Sequence, residues 1–461
     1  MRPFLFAVTL AFAAILGAGC GADVLAADDN KITLVVWQGF KFEEVTVMEE
    51  ITNRFEQKWM EENPGKTLDI ILERVSFDDM TTKLKTAALA RRTPDIAFVD
   101  AQKVIELTYG QTLVPLDTLD NWRYDSIQDA RSEFVNASFD QATVFMRDDD
   151  DSPLTQHQFG LPVQTTTLAL FWNREMFRAK GQELRAAGLD PNRAPKDWDE
   201  LIAYSKVLEG DDIYGYAMSG SLWFQFPVFN QYNVEWVQYE ANGRAVPTVD
   251  SALGLAAMER LAGLVLDSQV EAGAWKPGAT GPDQGFQNRK YAMIFTGPWN
   301  TEKFEANGLD FDISLIPAVP EKEARELGIE PESSSNIGGQ SGVIFKTCEH
   351  PEIAYEFLEY FTGEVEQRYW AETLGQIPTR LSAWEDLDMS KYPYLPKFME
   401  QLKHAEALPR IPLYGTLESD IFNPEFQLVL SGKKTPEAAL ESIQAALDKR
   451  ILEKMNARVR D

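Results

Sequence analysis

Cysteine is nearly absent from this chain: two in 461 residues, Cys20 and Cys348. That leaves no disulfide framework, and with Cys20 in the leader no bridge is expected in the mature protein. Histidine is as scarce. His157, His350 and His404 are scattered and only His350 has a cysteine nearby, so neither a zinc site nor any other metal or cofactor is expected. Basic residues are outweighed, 44 Lys and Arg against 72 Asp and Glu, for a formal net charge of −28. Nucleic acid and anionic lipid each need a basic face, which argues against both as partners. The acidity reads instead as a solvated surface. The chain holds no Gly-x-Ser-x-Gly elbow, no His-Glu-x-x-His and no Gly-rich phosphate loop. Its carboxylate pairs, Glu43-Glu44, Asp78-Asp79 and Asp197/Asp199, each fit a helix start, where negative charge favours the dipole. An enzyme is therefore not expected. Past the leader, no apolar run is long enough to span a membrane.

The leader itself is informative. Arg2 is a one-charge n-region and Phe4 to Ala18 is a run of apolar and small residues, too short for a comfortable membrane span. Residues 1–27 are expected to be a signal peptide, with Val24-Leu25-Ala26 as the cleavage site. Gly17-Ala18-Gly19-Cys20 also resembles a bacterial lipoprotein box, although Gly17 sits where Leu is usual. Export to the periplasm or cell exterior is expected either way, as a released protein or one lipid-anchored through Cys20.

What the chain does have is length and aromatic content. At 461 residues, 44% apolar and 11% aromatic, it exceeds one hydrophobic core, so two or more domains are expected. Its most pointed local feature is Tyr291-Ala-Met-Ile-Phe-Thr-Gly-Pro-Trp-Asn300. A strand-like run stops at Gly297-Pro298, and Trp299 follows at the start of a short helix, Asn300 to Glu305. An indole fixed at such a corner can offer a flat apolar face to a cleft, as sugars require; a core tryptophan capping a loop would give the same pattern.

Elsewhere strands and helices alternate. Lys31 to Trp37 is β-rich; Met48, Ile51, Phe55 and Trp59 recur at helical spacing. Leu68 to Val75 reads as a strand, Phe77-Asp78-Asp79 opens a helix with Asp78 or Asp79 as N-cap, and Asp95 to Val99 is a third strand. This spacing implies right-handed crossovers and a parallel sheet. The run Asp148 to Asp151 reads as a solvated hairpin tip rather than a Ca²⁺ loop, since interspersed ligands and a Gly turn are missing. The alternation resumes at Leu168 to Asn173. Pro195 to Leu201 starts a capped helix, Asp250 to Asp267 is amphipathic, and Phe311 to Ile316 is a strand. Pro331 to Gln340, rich in Ser and Gly, reads as a crossing segment or hinge, and helices dominate from Pro351 onward.

These segments, in this order, resemble the family 1 extracellular solute-binding proteins of ABC importers, the group that includes maltose- and trehalose-binding proteins. The resemblance is carried by Ile32-Thr-Leu-Val-Val-Trp37, Thr93-Pro-Asp-Ile-Ala-Phe-Val-Asp100, Phe159-Gly-Leu-Pro162 with Leu170-Phe-Trp-Asn173, and Pro195-Lys-Asp-Trp-Asp-Glu-Leu201. It continues through Asn288 to Trp299, Ile337-Gly-Gly-Gln-Ser-Gly-Val343, His350 to Leu358 and Leu374-Gly-Gln-Ile-Pro-Thr-Arg380. It implies a two-lobed α/β fold of the periplasmic-binding-protein class II type, each lobe a mainly parallel sheet flanked by helices, with the ligand in the cleft between them. The chain would cross near Gln164 to Leu168, Asn336 to Gly339 and Thr379 to Trp384. Residues 28–165 and 336–380 would form the N-terminal lobe, and 166–335 and 381–461 the C-terminal lobe. Closure would be a hinge motion biased by ligand.

The resemblance implies a carbohydrate ligand, of two or more sugar units, delivered to the permease subunits of an ABC transporter by a monomeric binding protein. It also implies site residues. Trp299 matches the principal stacking residue and Trp223 a second cleft aromatic, with core packing beside Phe224 and Phe226 as its alternative. Trp37 and Gln38 match a cleft aromatic and a hydroxyl partner at the end of the first strand. Asp100 matches a sugar-binding carboxylate, or else caps the next helix; Asp79 is a ligand contact or an N-cap. Gln164 and Thr166 stand where maltose-binding proteins carry a glutamate, which puts maltose itself in doubt. Gly338, Gly339 and Gln340 match a Gly-Gly-aromatic motif with Gln340 in the aromatic's place, and Tyr414 and Glu418 match C-terminal cleft residues. Arg380 reads as a hinge brace.

Two other functions fit parts of the pattern. A secreted carbohydrate-active enzyme would also use a cleft with aromatics and carboxylates. A binder of a glycerophosphodiester, polyamine or peptide is the nearer alternative. An anionic ligand would want basic residues in the cleft, for which Lys41 and Arg380 are the candidates.

Overall fold

The computed structural model describes residues 30–40, 43–146, 155–240 and 244–460, without the side chains of Asp78 and of residues 458–460. The leader with Cys20, Lys41 and the Asp148 to Asp151 run lie outside the described residues.

The first βαβαβ run forms as its periodicity predicts. Strand β1 (Lys31–Gln38) leads into helix α1 (Glu43–Glu62), whose Met48, Ile51, Phe55 and Trp59 are buried. Strand β2 (Thr67–Arg74), helix α2 (Phe77–Leu89) and strand β3 (Ile96–Asp100) follow. β1 pairs parallel with both β2 and β3. The residue flanking α2 is Ser76, not Asp78 or Asp79; Asp79 lies exposed in the first turn, where its charge faces the positive end of the helix. Residues 155–158 pair with Thr143–Met146 as a hairpin.

Strand β4 (Gly160–Thr167) stays in the first sheet, and strand β5 (Ala169–Asn173), one residue on, lies in a second. Helix α3 (Trp198–Leu208) starts where Asp197 caps it, its carboxylate accepting from the Glu200 N–H at 2.9 Å. Strand β6 (Tyr214–Ala217), helix α4 (Leu222–Gln231), helix α5 (Ala252–Leu266), strand β7 (Tyr291–Thr296) and strand β8 (Phe311–Ser314) complete this half. The Ser/Gly-rich crossing segment leads into a strand: Ser335–Ile344 is one ten-residue strand, β9, antiparallel to both β3 and β4. Helices α6 (Pro351–Phe361) and α7 (Glu364–Leu374) then pack on the first sheet, and α8 (Pro436–Leu447) on the second half.

Strands of one direction dominate each sheet as expected, and each sheet also takes a crossing strand that opposes them: β1, β2, β3 and β4 run one way in the first and β9 the other. In the second, ordered β8-β5-β7-β6, three strands run one way and β5 alone runs the other. The cause is the crossing itself. β5 enters its sheet from the junction and runs away from it, pairing Ala169 with Thr296 at the end of β7, whereas β6 and β7 run toward the junction. β9 leaves the junction in the same way into the first sheet and so opposes β3. Each half has its own core: Leu34, Val36 and Phe98 against α1, α6 and α7 in one, and Tyr204, Phe229 and Leu261 in the other. The fold is thus two α/β lobes joined by crossing strands.

Candidate functional site

The parallel strands of both lobes point their C-terminal ends at the same gap. β3 ends on Asp100; β6 is followed by α4 with Trp223 in its first turn; β7 runs into Gly297-Pro298-Trp299. Ligands of open α/β sheets bind at such ends.

On the second lobe two indoles form a stepped apolar surface. Trp223 and Trp299 have ring centroids 5.8 Å apart and planes inclined by 52°. Trp299 is 47% exposed, so it is not a core residue. Its ring folds back over Gly297, where a Cβ would stand 2.0 Å from Cζ3, and only glycine leaves room for that close approach. Trp223 is partly buried, its Cζ2 3.2 Å from where a Cβ on Gly338 would lie. Its backbone is held at both ends: its N–H donates to Glu418 Oε1 at 2.9 Å, and its carbonyl accepts from Asn336 Nδ2 at 2.6 Å. Glu418 also accepts from the Ser221 hydroxyl, and Asn423 accepts from the Leu222 N–H at 2.9 Å. Glu418 and Asn423 therefore satisfy the free N–H groups at the start of α4.

Glu418 is presented by an irregular segment. Leu413 adopts φ 66°, a left-handed conformation costly for a branched side chain, and Leu417–Phe422 is a widened helical turn. Between them Tyr414 is buried against Phe226, and its hydroxyl has no partner within the protein.

The crossing strands supply the floor. Gly339 has φ 131° and comes so close to β4 that a Cβ would stand 2.0 Å from the Gln164 carbonyl oxygen, at a bulge between Gln340 and Ser341. Gln340 donates to Gln164 Oε1 at 3.2 Å, and Gln164 donates to Gln376 Oε1 at 2.7 Å and to Glu44 Oε1 at 3.2 Å. Gln376 in turn takes the Trp370 indole N–H at 2.9 Å and donates to Glu44 at 2.7 Å. Gln340 Oε1 and Thr166 Oγ1 are buried without a partner. A buried polar atom left unpaired costs free energy, and a ligand hydroxyl at this floor would recover it.

Asp100 stands opposite Gln340 in the β3–β9 register. It caps the turn after β3, accepting from the Gln102 N–H at 3.1 Å. Burial pushes its carboxyl up to about 6; Lys103 and the Gln102 N–H pull it down, and Glu418 of the other lobe pushes it up. The Tyr414 hydroxyl is held well above its ordinary range by burial, then by Glu418 and Asp100. Two carboxylates and a tyrosine from opposite lobes thus sense one another across the gap.

Asp100, Gln164, Thr166, Trp223, Trp299, Gly339, Gln340, Tyr414 and Glu418 therefore converge. Gln38 does not, and Trp37 and Asp79 are described by other surroundings. Gln38 shares the inward face of β1 with Leu34 and Val36, is 1% exposed, and accepts the Phe40 N–H at 2.7 Å, so strand alternation turns it into the core. Trp37, on the opposite face, donates its indole N–H to Glu73 Oε2 at 2.8 Å on the outer neighbour β2. Asp79 is exposed on α2. Arg380 is a brace, bonded to Glu133, Glu359, Tyr124 and the Thr362 carbonyl and stacked 4.1 Å over Phe134. The expectations left out Asn336, Gln376 and Glu44, which hold the others in place, and Lys103, which acts on Asp100. Gln376 stood inside a quoted segment, but its role depends on strand β4 meeting helices α1 and α7, which no local pattern records.

Two facing α/β lobes, an aromatic pair on one wall and unpaired polar atoms on the floor define a two-lobed ligand-capturing protein. A sequence profile described as "Bacterial extracellular solute-binding protein" matches residues 43–368, and the chain belongs to that family. It is 24% identical over 413 residues to a putative binding protein of Brucella abortus, covering 87% of this chain and 88% of the relative. It is 23% identical over 325 residues to the galactooligosaccharide-binding protein of Bacillus subtilis, covering 68% of each. The solved cyclic α-maltosyl-1,6-maltose-binding protein of Arthrobacter globiformis shares the fold with a TM-score of 0.72 at 22% identity, over 92% of this chain and 100% of that one.

Proposed function

We propose that the protein binds a neutral carbohydrate of two or more sugar units in the interlobe cleft and delivers it, unchanged, to the permease subunits of an ABC importer. The observation that carries this reading is the Trp223–Trp299 pair beside the partnerless atoms of Thr166, Gln340 and Tyr414. Sugars have apolar C–H faces that stack on indoles and hydroxyls that both donate and accept. The floor consists of amides and a hydroxyl, with Glu44 one bond behind it, which suits an uncharged ligand. A carboxylate is lacking at Gln164 to Thr166, so maltose itself is not the expected sugar. An anionic solute fits less well, because Arg380 is committed to Glu133 and Glu359.

The lobe boundaries belong to this reading: 28–165 with 336–380, and 166–335 with 381–461. So do a monomeric state, removal of the leader with export, and either release or anchoring through Cys20. A thermal-shift panel of neutral di- and oligosaccharides, glycerophosphodiesters, polyamines and peptides tests it. A sugar is expected to raise the melting temperature and change tryptophan fluorescence. Stabilisation by a charged solute and by no sugar would overturn the proposal.

A further inference from the structure

Lys103 has no place in the sugar reading, yet it sits where the lobes meet. It ends the turn Ala101–Lys103 that follows β3 and so belongs to the first lobe. Its ammonium lies 5.9 Å from the ring centroid of Tyr414 in the second lobe. It is also the nearest neighbour of Gly415: a Cβ on that residue would stand 3.1 Å from Lys103 Nζ, a tight fit. The next helix, Val104–Tyr109, continues the contact, because Tyr109 packs against the second lobe's core. Tyr109 also acts on Tyr239, whose hydroxyl is pushed up to about 12 by burial first and by Tyr109 next.

The charges in this region make Lys103 matter. Asp100 of the first lobe and Glu418 of the second face one another closely enough to interact, and Lys103 is the cation that acts on Asp100. Without it, approach of the lobes brings two carboxylates together. With it, approach adds a cation over an aromatic face and offsets like-charge repulsion.

We propose that Lys103 is a closure latch, a first-lobe cation that seats on the Tyr414–Gly415 turn of the second lobe and stabilises the closed form before any ligand is bound. Closure is then a property of the lobes, which the ligand biases further. The proposal deepens the binding reading but does not need its ligand to be right, because its first readout is taken without one.

The test uses the full mature chain with spin labels on exposed positions of opposite lobes, Lys66→Cys and Lys322→Cys, and the wild type, Lys103→Met and Lys103→Arg forms compared. Methionine keeps length and apolar bulk without the charge; arginine keeps the charge. Ligand-free distance distributions are expected to shift to longer values in Lys103→Met and to stay near wild type in Lys103→Arg. For a sugar found by the panel, dissociation from Lys103→Met should be about threefold to tenfold faster, as expected for a modest change in closed population. The groups facing Asp100 are Lys103 and the Gln102 N–H from its own turn and Glu418 and the Tyr414 hydroxyl across the gap. Lowering pH from about 8 to about 5 should therefore restore closure in Lys103→Met, because a proton on Asp100 removes the repulsion. A Lys103→Met protein with wild-type ligand-free distances, or with no pH recovery, overturns the latch. If no sugar binds any form while the distances still respond, the sugar reading fails and the latch stands.

Discussion

Replacing Gly297 with alanine tests the stacking wall without removing the ring that forms it. The added methyl would lie 2.0, 2.4 and 2.5 Å from three ring carbons of Trp299. Carbon atoms rest at about 3.5 Å or more, so the indole must retreat by about 1.5 Å or swing to another rotamer. Gly297 has φ −119°, which alanine adopts freely, so the backbone adds no strain. Trp299 is 47% exposed and displacing it opens little core, so stability should change by less than about 1 kcal/mol. Binding should suffer more. Loss of an aromatic anchor costs about 1–3 kcal/mol, and each 1.4 kcal/mol is about tenfold in Kd. Isothermal titration with a sugar from the panel should thus show Gly297→Ala weakened about fivefold to 100-fold, close to Trp299→Ala, with both melting temperatures near wild type. Wild-type affinity in Gly297→Ala would refute the corner as a sugar platform. A large fall in melting temperature with affinity retained would show that the ring serves packing.

Three further outcomes follow from the geometry. Thr166→Val removes a buried hydroxyl that has no partner in the protein, so thermal stability should hold or rise while sugar affinity falls by about 0.5–1.5 kcal/mol, read by calorimetry. Arg380→Ala should lower stability to chemical denaturant by less than the about 3–5 kcal/mol of a buried charge left unpaired, because Arg123 still reaches Glu359 at 3.2 Å and solvent reaches the half-exposed Glu133; sugar preference should not change. Asp100 binds its proton more tightly folded than unfolded, with a pKa of about 6 against 3.8, so its contribution to stability grows as pH falls from about 7 through that window. Asp100→Asn should accordingly melt higher than wild type near pH 7.5 and lose that gain by about pH 4 in a thermal-shift series.

The first lobe was largely legible because its elements are local. Periodicity in Met48, Ile51, Phe55 and Trp59 and three β-rich runs at crossover spacing fix a βαβαβ unit with little help from elsewhere. In the second sheet the opposed direction of β5 was not legible for a non-local reason: whether it runs with or against β7 depends on where the chain enters the lobe. The Ser/Gly segment read as a crossing by composition, but its strand form did not, because β3 and β4 on either side complete its backbone bonds. Site residues followed the same division. Trp299 announced itself through Gly-Pro-Trp. Gln38 was misplaced because the pattern at a strand end gives neighbours but not face, and a single residue of alternation separates a cleft contact from a core amide. Lys103 and Asn336 left no signal, since each acts through a partner more than a hundred positions away.

β9 is at once the joint and the floor. Within six residues it carries the Asn336 amide that holds Trp223, the Gly338 that Trp223 overlies, the Gly339 that lets two strands touch and the Gln340 that faces Asp100. For anyone engineering a sensor from this scaffold, selectivity and opening angle cannot be dialled separately from that strand. Substitutions there will change the signal amplitude along with the analyte. The Gly297-Pro298-Trp299 corner stands off the joint, on a loop whose ring is half in solvent. Retargeting should begin at that corner, with the strand left as the spring.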